Sequence, residues 1–145
     1  LAVILDVFTR ALRGWALSHG LGGELSRAAL HQALSCGCPT IHHSDQGVQY
    51  AATAYVELLA RKNIQISMAA VGQSQQNGYA ERVIRTLKEE EVYLSDYQSY
   101  EEALAQIGHF IEDVYLTKRI HSALGYLTPA EFEAQWQKPQ LASIL

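Results

Sequence analysis

Long hydrophobic runs are missing from this chain of 145 residues. No stretch approaches the roughly 18 consecutive apolar residues that a membrane-spanning helix needs, and the first residues do not have the layout of a signal peptide. Cysteine is scarce as well. Cys36 and Cys38 stand one residue apart with no others in the chain, which excludes a disulfide framework and favours a reducing compartment. Charged residues make up only 18% against 48% hydrophobic, a balance that excludes intrinsic disorder and leaves enough apolar material for one globular core. An initiator Met is absent too. The chain opens on Leu1 inside the apolar run Leu1-Ala2-Val3-Ile4-Leu5, and a domain beginning in mid-strand is expected to be a fragment without its upstream part.

Positive charge is in deficit overall, with a net charge of −4, which by itself argues against a polyanion partner. The distribution is uneven. Residues 1–88 hold 8 Lys/Arg against 5 Asp/Glu, and residues 89–145 hold 3 against 10. A basic front half can bind a polyanion with one face despite an acidic back half.

Hydrophobic periodicity organises the chain. Residues 1–5 read as a buried strand, 6–10 as a turn and 11–18 as the second arm of a hairpin, broken by Gly20-Leu21-Gly22-Gly23. Leu25, Ala28, Ala29, Leu30 and Ala33 recur at helical spacing over 24–34, and Gly37 with Pro39 ends that helix. A short strand follows at 40–43. Thr53 is placed to cap a helix carrying Tyr55, Val56, Leu58 and Leu59, and 64–68 alternates as a half-buried strand. The polar stretch Gly72-Gln73-Ser74-Gln75-Gln76-Asn77-Gly78 reads as a mobile loop. Helices are expected over about 79–94 and 100–120, and Thr128-Pro129-Ala130-Glu131 has the pattern of a capped helix start. This order gives an α/β layered fold, one domain over 1–145 with a helical C-terminal flank over 98–145.

Two acids stand out by position. Asp45 directly follows a strand, at the edge where α/β proteins place ligands, although a turn or cap role fits such an Asp equally. Glu81 opens a helix, where the helix dipole alone favours a carboxylate. Arg85 and Lys88 lie four and seven residues on, on the same helical side. That pattern fits a metal ligand beside phosphate-gripping cations, and it fits a surface helix with an i,i+4 ion pair.

The wording of these segments narrows the choice. His43-Ser44-Asp45-Gln46-Gly47-Val48-Gln49-Tyr50 resembles the HSDxGxQY signature of integrase-like transposases from bacterial insertion sequences. Gln76-Asn77-Gly78-Tyr79-Ala80-Glu81-Arg82 is similar to their N-x-x-x-E segment, although Ser74-Gln75 departs from the usual residues before it. Between Asp45 and Glu81 lie 35 residues, the separation of the second and third acids in the D, D-35-E triad of that family. Lys118-Arg119-Ile120-His121-Ser122-Ala123-Leu124-Gly125-Tyr126 with Leu127-Thr128-Pro129-Ala130-Glu131, and Leu5-Asp6-Val7-Phe8-Thr9-Arg10 with Gly14-Trp15, resemble two further motifs in the same order.

The resemblance implies a ribonuclease H-like fold, a mixed sheet flanked by helices. The strand at Leu1 matches the second strand of that fold, so the first strand and the first catalytic Asp are expected upstream. Asp6 matches an Asp outside the triad, and hairpin geometry is its expected role. The implied activity is DNA transposition, with phosphodiester cleavage and strand transfer. Asp45 and Glu81 are the implied catalytic residues and ligands of Mg²⁺, with Mn²⁺ as a substitute, because hard cations prefer carboxylate oxygen. Arg85, Lys88, Lys118 and Arg119 are the implied DNA contacts, and His43 is expected to hydrogen-bond Asp45. Zinc is disfavoured, since Cys36 and Cys38 with His42 and His43 lack the spacing of a four-ligand site. Implied partners are the element ends and target DNA, a second copy of the chain and an N-terminal DNA-binding part, in the bacterial cytoplasm at the nucleoid. The alternatives are an inactive remnant that only binds DNA or self-associates, and a nuclease of the same fold, against which the 118–131 match argues.

Overall fold

Strand β1 (Ala2–Leu5) and strand β2 (Leu12–Ala16) form a hairpin. Its turn closes through backbone bonds from Asp6 N–H to Ala11 O (2.9 Å) and from Arg10 N–H to Asp6 O (2.8 Å). Asp6 Oδ1 accepts from Phe8 N–H at 2.9 Å and from Thr9 N–H at 3.3 Å. The side chain therefore folds the backbone into an Asx turn, as expected for an Asp in this place. The computed structural model describes residues 1–20 and 22–142, and side chains up to residue 137. Leu21, part of the break expected at 20–23, lies outside the described residues.

Helix α1 (Gly23–Cys36) buries Ser26, Ala29, Leu30 and Ala33, a stripe at helical spacing, and stops at Gly37 with φ of 147°. Strand β3 (Ile41–Ser44) pairs in parallel with β4 (Gln65–Met68), in the register Ile41 to Gln65 and Ser44 to Met68. A parallel pair needs a long crossover, here supplied by the single turn α2 (Val48–Ala51) and by α3 (Thr53–Arg61). The position before α3 is Ala52, and Thr53 lies inside the helix without a side-chain capping bond. The cap expected at Thr53 is therefore corrected: the turn α2 ends at Ala51, leaving Ala52 alone as the junction. Leu30, Tyr55, Leu59 and Ile64 form one buried cluster, against which Ile4, Leu34, Tyr50 and Leu58 pack. One apolar layer thus serves β1, α1, α3 and the approach to β4. The described strands form two two-stranded sheets, β1–β2 and β3–β4.

The expected mobile loop at 72–78 contains a 3₁₀ turn, Ser74–Asn77. Helix α4 (Gly78–Glu90) follows and ends four residues before the expected Leu94, with a separate 3₁₀ turn at Val92–Leu94. Helix α5 (Tyr100–His109) is capped by Ser99, whose Oγ accepts from Glu102 N–H. It then widens into a π-helical segment, Phe110–Tyr115, instead of continuing to 120. Ile107, Phe110, Ile111 and Tyr115 are buried there. Burial pushes the Tyr115 phenol up to about 12, partly offset by the Arg119 and Arg10 cations. Helix α6 (Pro129–Ala142) starts with the expected capping box. Thr128 Oγ1 accepts from Glu131 N–H at 3.2 Å, and the Glu131 carboxylate accepts from Thr128 N–H at 2.9 Å. Those bonds hold the Glu131 carboxyl below its ordinary value.

The chain divides into two compact units. One comprises Leu1–Leu5 and Arg13–Ile84, and the other Asp6–Leu12 together with the residues from Arg85 onward. The flank expected over 98–145 falls, over its described residues 98–142, in the second unit, and residues 143–145 lie outside the described residues. Within that unit the Phe8 ring meets Phe132 and Trp136 edge-on, with centroids 5.2 and 5.1 Å apart.

Candidate active site

The two acids singled out in the sequence follow the parallel strands β3 and β4 along the chain. Asp45 is the residue directly after β3, and it is exposed. Its Oδ1 accepts from Gly47 N–H at 2.8 Å, a short Asx contact that fixes the carboxylate relative to the turn and leaves Oδ2 for other partners. Asp45 is thus both a turn residue and an available acid. The strand end is held in place on the inner side: Ser44 is buried, and its carbonyl accepts from Ala69 N–H at 2.8 Å.

Glu81 sits in the first turn of α4. This helix is strongly two-faced. Val83, Thr86 and Leu87 are buried, whereas Glu81, Arg82, Arg85 and Lys88 are exposed. The buried stripe at i, i+3 and i+4, two of its three residues apolar, fixes the rotation of the helix, and that rotation turns Glu81, Arg85 and Lys88 outward. Glu81 and Arg85 have the i,i+4 spacing of a surface ion pair, but no such pair is made among the described residues.

His43 takes a different partner from the expected one. Its Nδ1 lies 2.9 Å from Ser67 Oγ on β4, directly across the register, and not on Asp45. His43 and Ser67 are register partners in the parallel pair, so their side chains stand side by side on the same face and meet across the strands. The neighbouring His42 is half-buried, with Nε2 3.0 Å from Tyr55 Oη. Burial first, and the His43 charge second, push the His42 imidazole below its ordinary value. Tyr55 is raised, by burial and then by Tyr50.

Arg119 is paired with Glu90, so its charge is partly committed inside the second unit, whereas Lys118 is exposed. Cys36 and Cys38 are both exposed free thiols. Sequence reasoning did not single out Gln46 and Gln76, whose side-chain amides hold the segments bearing the two acids. Gln46 Nε2 donates to Ala69 O at 2.7 Å, and Gln76 Oε1 accepts from Ala70 N–H at 2.8 Å. Nothing in the local sequence pattern signals these contacts, because both depend on where β4 ends.

Both carboxylates offer oxygen donors, the chemistry that suits Mg²⁺ or Mn²⁺ and not a soft metal. Among the described residues no group of three or more His, Cys, Asp or Glu stands together to hold a metal.

Comparison with known proteins identifies the family and the fold. Residues 1–74 match one family described as integrase core domain, and residues 62–129 match a second with the same description. The chain is 37% identical to the transposase for insertion sequence element IS904 of Lactococcus lactis, over 92% of this chain and 54% of that protein. It is 33% identical to the insertion element IS600 uncharacterized 31 kDa protein of Shigella sonnei, over 95% of this chain and 52% of that one. Transposase InsF for insertion sequence IS3fB of Escherichia coli is 35% identical over 93% of this chain and 48% of its own length. The chain spans about half the length of these curated relatives. Two solved structures share the fold. They are the HTLV-2 integrase catalytic core domain in complex with magnesium (TM-score 0.67, 16% identity, 90% of this chain and 81% of that one) and the catalytic core domain of BIV integrase (TM-score 0.68, 19% identity, 96% and 88%). The ribonuclease H-like α/β architecture is therefore the fold of this chain.

Proposed function

The chain belongs to the integrase core domain family, and from that premise we propose that it is the catalytic part of an insertion-sequence transposase, acting on phosphodiester bonds of DNA. The observation that carries this reading is the placement of two available carboxylates. Asp45 stands at the C-terminal end of β3 and Glu81 in the first turn of α4, with Arg85 and Lys88 on the outward side of the same helix.

Asp45 and Glu81 would hold Mg²⁺, or Mn²⁺ in its place. A pair of such ions activates an oxygen nucleophile and stabilises the leaving oxygen of a displaced phosphodiester. The protein's own contribution is orientation. The Gly47 contact sets the Asp45 carboxylate, and the buried face of α4 sets Glu81. Arg85 and Lys88 place positive charge one and two turns along the helix from Glu81, where backbone phosphates are gripped without regard to sequence. Lys118 is an exposed cation of the second unit that would also suit a backbone phosphate. His43 acts through Ser67, fixing β3 against β4.

The full transposition reaction needs the element ends, a target duplex, a second copy of the chain and a part that reads the terminal sequence. These are partners of the whole protein. A second reading, DNA binding without catalysis, is favoured by the lack of a three-donor cluster among the described residues.

Two measurements separate the readings. Mn²⁺ titration followed by electron paramagnetic resonance is expected to show saturable binding that weakens in both Asp45→Asn and Glu81→Gln. Mn²⁺-dependent nicking or joining of labelled element-end DNA, measured in the full-length transposase, is expected to be lost in Asp45→Asn. A folded chain with no Mn²⁺ binding and unaltered DNA affinity in both variants leaves the DNA-binding reading alone standing.

A further inference from the structure

Ala69 and Ala70, the two residues that follow β4, are engaged by different parts of the chain. Ala69 belongs to the Asp45 side. Its N–H donates to Ser44 O at 2.8 Å, and its carbonyl accepts from Gln46 Nε2 at 2.7 Å. Ala70 belongs to the Glu81 side. Its N–H donates to Gln76 Oε1 at 2.8 Å, and its carbonyl accepts from Gln73 N–H at 3.0 Å. Gln76 is itself braced, with Nε2 donating to Gln73 Oε1 at 2.6 Å and its backbone N–H donating to Gln73 O at 3.1 Å.

We propose that Gln46 and Gln76 are positioning residues that set the separation of the Asp45 and Glu81 carboxylates by fastening both segments to the single dipeptide Ala69–Ala70. The inference rests on the metal-binding reading of those two acids. Ala69 is buried, and its N–H extends the β3–β4 ladder by one bond, so the dipeptide is anchored to the sheet. Gln46 adjoins Asp45, and its amide bridges the Asp45 turn to that anchor. Gln76 is the third residue of the 3₁₀ turn that leads into α4, and Glu81 lies in the first turn of that helix. The polar stretch between β4 and α4 is ordered by these amide bonds and not by apolar burial, since residues 70–76 are all exposed. Both bonds are specific in direction. Gln46 must donate, because its partner is a carbonyl, and Gln76 must accept, because its partner is an N–H.

The direction of each bond supplies the test. Hydrogen exchange is measured by nuclear magnetic resonance on the 145-residue chain, with Mn²⁺ alone as the probe of the acids. Gln76→Met is expected to speed exchange at the Ala70 amide by about 3- to 10-fold, the effect of removing one ordinary hydrogen bond. The Ala69 amide, held by Ser44, should keep its rate. Gln76→Glu retains the acceptor and should restore slow exchange at Ala70. Gln46→Met and Gln76→Met are each expected to weaken Mn²⁺ binding about 3- to 10-fold, with thermal midpoints close to the parent value. Unchanged Ala70 exchange in Gln76→Met would overturn the proposal, as would parental Mn²⁺ affinity in both Met variants. If the parent chain itself binds no Mn²⁺, the metal reading of the acids fails. The Ala70 exchange rates then decide alone whether the glutamine clamp exists.

Discussion

Gly14 shows how a single residue can fix the contact between a strand and a helix. A Cβ built at this position would lie 2.1 Å from the Ala29 carbonyl oxygen and 2.8 Å from the Ala33 backbone nitrogen. Both are backbone atoms of α1, so no side chain can rotate away. Gly14→Ala is expected to destabilise the fold by at least about 1–3 kcal/mol, the usual range for overpacking, read as a lowered urea midpoint at unchanged slope. His42 carries a second residue-scale consequence. An unfolded His42 titrates at its ordinary 6.5, and the folded one, half-buried against Tyr55 and next to His43, titrates lower. Between those two values the unfolded chain holds a proton that the folded chain does not. The His42 contribution is therefore complete above pH 6.5 and is lost as the pH falls through the folded value. Urea midpoints should drop on going from pH 7.5 to 5, and His42→Gln, which keeps a hydrogen-bonding group for Tyr55, should flatten that drop.

Elements whose signals are local were legible in the sequence, and α6 is the clearest case. Thr128, Pro129 and Glu131 announce a helix start because the capping bonds run only three residues along the chain. Thr128→Ala is expected to lower stability by about 1 kcal/mol, while Thr128→Ser should retain most of it. Chemical denaturation of the three proteins compares them directly. The hairpin, α1 and the β3–β4 strands were legible for a similar reason, since turn residues and apolar spacing sit within each segment. The elements that differ from expectation depend on distant partners. The 3₁₀ turn at Ser74–Asn77 has Gln76 reaching back to Ala70, a contact that a Gln-rich segment read in isolation does not reveal. The π-helical widening at Phe110–Tyr115 depends on burying Phe110, Ile111 and Tyr115 together, a packing demand that periodicity does not report. The candidate site follows the same division. Asp45 and Glu81 are candidates on motif and spacing, whereas the Ser67 partner of His43 follows from cross-strand register alone.

At the scale of the whole molecule, charge decides how the chain would meet DNA in the proposed function. A net charge of −4 repels a polyanion on average, so the proposed binding would depend on a few cations that are free to engage phosphates. Arg85 and Lys88 are exposed on one side of α4 and make no ion pair among the described residues. Arg119 is paired with Glu90, and engaging a phosphate there would first cost that interaction. The cations are therefore unequal, although the sequence presents them alike. Binding of a labelled duplex, followed by fluorescence anisotropy across a salt series, makes the difference measurable. The slope of log affinity against log salt should shrink by about 0.9 for each phosphate that is no longer neutralised. Arg85→Ala and Lys88→Ala are each expected to reduce it by about that amount, with a uniform fall in affinity across DNA sequences. Arg119→Ala should leave the slope nearly unchanged and act mainly by removing the bond to Glu90. Equal slopes for Arg85→Ala and the parent chain would mean that α4 does not face the phosphates, and the site would then have to approach DNA by another surface.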